Sequence, residues 1–351
     1  MEKEQTENGM TRKEFLKVVA ALAAASIPVA TACNTAPVSK LKRGVSLYSY
    51  QAMFFTGQMN LEDMIAEAAS LGAYQIEILP DQNVPDFPRI SDPFVKQWLG
   101  LMDKYHTVPD AYCQHQDIFG PERLVWDIEQ AKRLGFSSVR LMAYTPMDMV
   151  EKCLPSAEKA NVALLYEIHG PNRLDGPQVE GWVKMMERLK SRHLGLNPDF
   201  SLWEKKASPV KRDVQIRAGV LKENIAKYID QACDQLVPQD KAAAEVASMG
   251  GGEQEKAYLT GRYAGYQDPK KLLPLKPYIR RFHGKTYDMT EDFKETSIPY
   301  EEVVPFLIEN GFEGAIVTEN ERTRNIMDAF PVDEIEQVRR HQVQLKRLLG
   351  V

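Results

Sequence analysis

Eight short apolar runs punctuate the chain after residue 42, each followed by a stretch in which apolar residues recur at helical spacing or close the chain. The runs are "RGVSLYSY" (43–50), "AYQIEIL" (73–79), "DAYCQH" (110–115), "SSVRLMAY" (137–144), "VALLYEIHG" (162–170), "LGLNPDF" (194–200), "YIRRFHGK" (278–285) and "EGAIVTENE" (313–321). In the first helical stretch, "NLEDMIAEAASLG", Leu61, Met64, Ile65 and Ala68 share one face, as a helix packed on a sheet requires. Leu71-Gly72, Leu134-Gly135 and Asn310-Gly311 stand just ahead of the next run, where glycine helix caps belong. A strand and a helix repeated in this way predict a (β/α)8 TIM barrel over residues 43–351. The repeat is interrupted between the sixth and seventh strands. Residues 204–277 carry amphipathic helical sequence ("VLKENIAKYIDQACDQL"), a glycine break at 250–252 and the tyrosine-rich "YLTGRYAGYQDP", which predicts a helical cap inserted over the barrel mouth.

The amino terminus departs from this pattern. Arg12 and Lys13 precede a stretch that is apolar all round, then small residues before Cys33, which is the layout of an export signal over 1–33, with a polar linker over 34–42. "TRKEFLK" resembles the twin-arginine export motif with Lys13 in place of its second arginine. "ATAC" reads either as a lipobox acylated on Cys33, which would attach the protein to a membrane, or as a plain A-x-A cleavage site, so the expected location is periplasmic or membrane-anchored. Cys113, Cys153 and Cys233 then remain, with no C-x-x-C, and are expected to be buried thiols rather than a disulfide framework. With 44% hydrophobic residues the chain can bury a large core, and 44 basic against 49 acidic residues leave no electrostatic footprint for nucleic acid.

Active sites of such barrels lie at the carboxyl ends of the strands. There the second strand offers Glu77, the third His115, the fifth Glu167 and His169, the sixth Asp199, the seventh His283 and Lys285, and the eighth Glu319. Side chains two apart in a strand share a face, so Glu167 is aimed with His169, and His283 with Lys285. A lone strand-end carboxylate is ordinarily salt-bridged, and a lone histidine ordinarily a satisfied core group. Carboxylate and imidazole from four successive strands are another matter: Glu167, Asp199, His283 and Glu319 are expected to surround one divalent ion. The oxygen-rich set favours Mn, with Mg, Co and Zn as alternatives. Lys206, Lys211 and Arg212 are expected to form a solvated face.

The order Glu167, Asp199, His283, Glu319 resembles the xylose isomerase-like barrels, which include sugar phosphate isomerases and ketose 3-epimerases. That resemblance implies one divalent metal held by these four residues. Within the group, "PDF" at 198–200, "HGKTYDM" at 283–289 with the following "SIPYEEVVPFLIENGFEG", and "TENE" at 318–321 are most similar to the branch of C-glycoside deglycosidases and 3-keto-glycoside-processing lyases. The chain departs from the epimerases at Leu202, three residues past Asp199, where they carry a histidine.

A metal site of this kind supports proton removal next to a sugar ketone. Elimination follows if the carbon beyond bears a leaving group, as in a 3-keto-glycoside, and epimerisation or isomerisation follows if it does not. His169 is the expected base, with His115 as the alternative, while Lys285 is expected to steady an oxyanion or a hydroxyl. Glu77 and Trp203, with Tyr258, Tyr263 and Tyr266 of the excursion, are candidates for holding a carbohydrate or glycoside, or for packing the cap. Three rivals compete. A three-zinc endonuclease barrel needs more strand-end histidines than this chain has; a retaining glycosidase using Glu167 and Glu319 would not need Asp199 and His283; a surface lipoprotein that only captures saccharide would turn nothing over.

Overall fold

The computed structural model describes residues 39–114, 120–170, 172–321 and 333–351. The export signal, Cys33, most of the linker and His115 lie outside the described residues. Among those described, the strands are β1 (Lys40–Ser46), β2 (Gln75–Ile78), β3 (Val108–Cys113), β4 (Ser138–Leu141), β5 (Ala163–Ile168), β6 (Leu194–Pro198), β7 (Phe282–Thr286) and β8 (Glu313–Asn320). They pair in parallel in the order β6-β5-β4-β3-β2-β1-β8-β7. The outer two strands meet through parallel bridges, Leu196 with Ile279 and Asp199 with His283, which curl the sheet into a nearly closed barrel. The expected (β/α)8 TIM barrel is the fold. β1 starts earlier than the sequence pattern suggests: Lys40 to Val45 run beside Glu313 to Thr318 of β8, and Leu41 is buried, so the end of the stretch read as linker is strand.

Helices α1 (Leu61–Ser70), α2 (Asp92–Lys104), α3 (Pro121–Arg133), α4 (Met147–Ala160) and α5 (Pro177–Leu189) follow the first five strands. α1 begins on a capping box in which the Asn60 side chain accepts from Asp63 N at 3.1 Å and the Asp63 carboxylate from Asn60 N at 2.9 Å. Prolines open α2, α3 and α5, where the missing N–H has no partner to lose. Gly72, Gly135 and Gly311 take positive φ angles of 71°, 81° and 61°, the left-handed conformation their place before a strand implied. On β5 the Tyr166 ring stacks on Trp182 of α5 with centroids 4.5 Å apart. Alternation then turns its neighbour Glu167 to the opposite, inner face. β7 works the same way, with Phe282 edge-on to Phe200 and Phe312 and His283 turned inward.

Between β6 and β7 lie α6 (Pro209–Arg217), α7 (Glu223–Asp234), α8 (Gln239–Ser248) and α9 (Glu253–Ala264). α7, α8 and α9 close on a hydrophobic cluster of their own, with Ile225, Ile229, Val246 and Leu259 buried in it. The return to the barrel is tied down by Gln267, whose N–H donates to Leu202 O at 3.1 Å and whose side chain accepts from Leu174 N at 2.8 Å. α10 (Tyr300–Glu309) precedes β8, and α11 (Glu334–Leu349) ends the chain. Cys113 and Cys153 are buried free thiols and Cys233 is half-buried. Among the described residues no helix is long and apolar enough to cross a membrane.

Candidate active site

Strand register assembles the site. Asp199 bridges His283 across the closing edge, and Lys285 lies opposite Glu319 in the β7–β8 ladder. One ligand atom each from Glu167, Asp199, His283 and Glu319 lies within 4.8 Å of the others, and all four side chains are buried. His283 is gripped from both sides: Nε2 is 2.9 Å from Glu77 Oε2, and Nδ1 is 2.7 Å from Glu167 Oε1. Nδ1 also lies 3.4 Å from Glu319 Oε2 and 3.7 Å from Asp199 Oδ2, so it is the ring atom that faces the carboxylates. Asp199 Oδ1 accepts from Ser201 N at 2.7 Å, whereas Oδ2 is buried and accepts no hydrogen bond, with the Lys285 ammonium 3.3 Å away. An unsatisfied buried carboxylate oxygen among two more carboxylates and an imidazole nitrogen is a donor set that suits a divalent cation. The residues fit such an ion.

The electrostatics follow from burial and neighbours. Burial, opposed chiefly by Lys285, raises the Asp199 carboxyl above its ordinary range. Burial would raise Glu167 too, but Arg140 and His283 hold it well below that range. Lys285 would be lowered by burial, yet Asp199, Glu319 and Glu321 keep it well above the ordinary lysine value, so it is a fixed cation and not a base. Burial alone would lower His283; the carboxylates of Glu77 and Glu319 and its hydrogen bonds to Glu167 and Glu77 raise it instead, to about 10. Ligation needs the neutral ring, so cation uptake at neutral pH must expel the His283 proton. Apparent Mn2+ affinity is therefore expected to rise by up to about tenfold per pH unit and to level off above about 10, with close to one proton released, measured by calorimetry in buffers of different ionisation enthalpy. In metal-free protein the raised value contributes stability that is complete below 6.5 and lost as pH climbs through about 10. An affinity flat with pH, with no proton released, would contradict this.

Several residues lie elsewhere than the sequence pattern places them. Glu77 is fully buried, accepts from Ser46 Oγ at 2.8 Å and pairs with Arg281 and His283, so its carboxylate is taken up in steadying the histidine. Trp203 is also fully buried, edge-on to Phe200 with ring centroids 5.0 Å apart, and forms core rather than a wall for a sugar. Tyr258 donates to Asp230 at 2.7 Å and Tyr263 to Val237 O at 2.7 Å, both within the excursion, while Tyr266 donates to Glu302 of α10 and so ties the excursion to the barrel. Two buried arginines were missed. Arg140 donates to Glu167 Oε2 at 2.7 Å, and Arg281 pairs with Glu77 and, at 2.8 Å, Asp110. The available signal was an arginine inside an apolar strand run, "SVRL" or "IRRF", since a buried guanidinium demands carboxylate partners.

A cavity of about 500 Å³ opens beside Lys285, walled also by His169, Lys211, Gly261, Tyr287 and Glu321. Lys285 Nζ is 2.5 Å from Glu319 Oε2 and 2.8 Å from Glu321 Oε1, which fixes its charge at the cavity edge. His169 is the accessible member of the group, with a side chain 36% exposed. Its Nδ1 lies 2.6 Å from Gly170 O. A carbonyl oxygen only accepts, so Nδ1 carries the proton and, in the neutral ring, the Nε2 lone pair is free. Nε2 is 3.8 Å from Glu167 Oε2, a member of the buried cluster. Lys211, expected on a solvated face, instead reaches the cavity, paired with Glu204 at 2.8 Å and 4.4 Å over the Tyr287 ring.

This barrel is similar in fold to solved sugar phosphate isomerase/epimerase structures, and its strand ends carry a cluster that could hold a metal ion, as in an enzyme. The chain is 27% identical over 305 residues to the 3'-dehydrocarminate deglycosidase alpha subunit of Microbacterium sp., covering 79% of this chain and 87% of that one. It is 26% identical over 326 residues to a C-glycoside deglycosidase alpha subunit of Arthrobacter globiformis, covering 84% and 88%. In structure it is similar to a D-allulose 3-epimerase of Methylomonas sp., with a TM-score of 0.53 at 12% identity over 90% of this chain and all of that one. The last likeness speaks to the fold. No family model matches the chain.

Proposed function

We propose that the protein is a divalent-metal lyase, Mn being the preferred ion, which cleaves 3-keto-glycosides by β-elimination, and that the signal over 1–33 directs it out of the cytoplasm. The observation that carries the reading is the buried Glu167, Asp199, His283, Glu319 cluster beside a cavity whose wall includes the partly exposed His169 imidazole. The deglycosidase relatives support the substrate class.

The cation, when bound, supplies Lewis-acid polarisation of the sugar ketone. His169 Nε2 takes the proton from C2, between the ketone and the anomeric carbon. The C2–H electron pair forms the C1=C2 bond, and the bond from C1 to the aglycone breaks with its pair going to the aglycone, which then takes up a proton. The Lys285 ammonium, locked by Glu319 and Glu321, offers a hydrogen bond to oxygen that gains charge. The sugar leaves as a 2-hydroxy-enone. No oxidant or reductant is needed.

Incubation of a 3-keto-glycoside with the Mn-loaded protein in deuterated water, followed by NMR, is expected to show free aglycone and the enone sugar. Deuterium at C2 without cleavage would replace elimination by epimerisation at the same site. Neither exchange nor cleavage, with the glycoside bound intact, would leave a saccharide-binding protein and overturn the proposal.

A further inference from the structure

A second cavity of about 370 Å³ is walled by the excursion between β6 and β7 and meets the first, because Glu204, Lys211, Gly261 and Gly265 stand in the walls of both. Each volume falls in the range of small-molecule sites, about 300–1,000 Å³. The first cavity is bounded by His169 and Lys285; the second extends away from them, with Ser208, Gln215, Gln254 and Tyr258 in its wall. Gly261 marks the junction. It lies within α9, where glycine is a poorer helix former than alanine, and a Cβ built on it would have no heavy atom within 4 Å. Packing thus does not call for glycine there. The difference a side chain would make is to project into the space between the cavities. Gly265 differs, since a Cβ there would come within 3.2 Å of Glu204 O, so close backbone approach explains it.

We infer that the second cavity is the leaving-group subsite: the sugar ring sits by His169 and Lys285, and the aglycone passes Gly261 into the space within the excursion. This rests on the lyase reading for the identity of the sugar half, but not for the existence of the subsite. Its wall combines amide, hydroxyl and aromatic groups, so it suits a hydroxyl-bearing ring, which either a second sugar or a phenol supplies. The Lys211–Glu204 pair and the Tyr287 ring stand at the passage between the halves.

Binding of methyl β-glucoside, cellobiose and 4-hydroxyphenyl β-glucoside to the Mn-loaded protein, followed by calorimetry, tests this without any turnover. The two longer ligands are expected to bind the parent more tightly than the methyl glycoside. Gly261→Phe should lower the ratio of long-ligand to methyl-glucoside affinity by about tenfold or more, through steric filling of the junction. Loss confined to cellobiose assigns a sugar to the subsite, and loss confined to the phenyl glucoside assigns a phenol. If Gly261→Phe does not melt like the parent, the Gln215→Ala/Gln254→Ala double variant, which removes polar wall groups, should lower the same ratio. An unchanged ratio in the folded variants, or long ligands bound no better than the methyl glycoside by the parent, overturns the subsite. A lyase that cleaves normally with an unchanged ratio would keep the function and lose the subsite; selective loss of long-ligand binding in a protein that cleaves nothing would do the reverse.

Discussion

Asp199→Asn should leave a folded barrel that no longer holds its metal and has lost about 1,000-fold or more in turnover, the scale at which a Lewis acid contributes to such a reaction. Asparagine is chosen because its carbonyl can still accept from Ser201 N, the bond that starts the turn over Phe200–Leu202. What it removes is the negative charge on Oδ2, the buried oxygen without a hydrogen bond. Burial already makes that charge costly, raising the Asp199 carboxyl, so the metal-free variant should melt at or above the metal-free parent. Elemental analysis, turnover and thermal melting together check the prediction. Full activity with no bound metal, or a collapse of stability, would count against it.

His169→Ala should keep the metal and the fold while exchange of the substrate's α-proton with solvent falls about 100-fold or more, the ordinary contribution of a general base. The imidazole is at a cavity wall and partly exposed, so its loss leaves no buried hole. It contacts Glu167 only at 3.8 Å, whereas Arg140 and His283 hold that ligand at 2.7 Å each. The metal cluster should therefore survive the change. Parent-rate exchange in the variant would remove His169 as the base; His115 and Glu319 would then be the candidates. Exchange lost together with the metal would make His169 a support of the ligand shell.

The accuracy with which residues were placed from the sequence tracks the range of the interactions concerned. Period-two alternation is local, and it correctly aimed His283 and Lys285 together at the end of β7 and turned Glu167 inward beside Tyr166. Glycine caps at 72, 135 and 311 are likewise set by one or two residues of backbone. Trp203 shows where this fails. Being near Asp199 in sequence put it near the site, but the turn after β6 rolls its ring into Phe200 and the core. Lys211 fails in the other direction: seven residues beyond Glu204 it reads as surface, and only the folding of the excursion onto the barrel returns it to the cavity.

The sequence by itself determined the eightfold strand and helix pattern, the helical stretch between the sixth and seventh strands, and the four strand-end residues that the structure gathers into one cluster, because each rests on periodicity or on position within one strand. Tertiary structure alone decided what those residues touch. Closure of β6 against β7 sets Asp199 beside His283, although 84 positions separate the two numbers. Curling of the sheet turns Glu77 of β2 toward His283 and Arg281, and pairing of β4 with β5 sets Arg140 beside the Glu167 carboxylate. These contacts depend on the relative placement of strands far apart in the chain, and no local pattern of hydrophobic and polar residues encodes that distance.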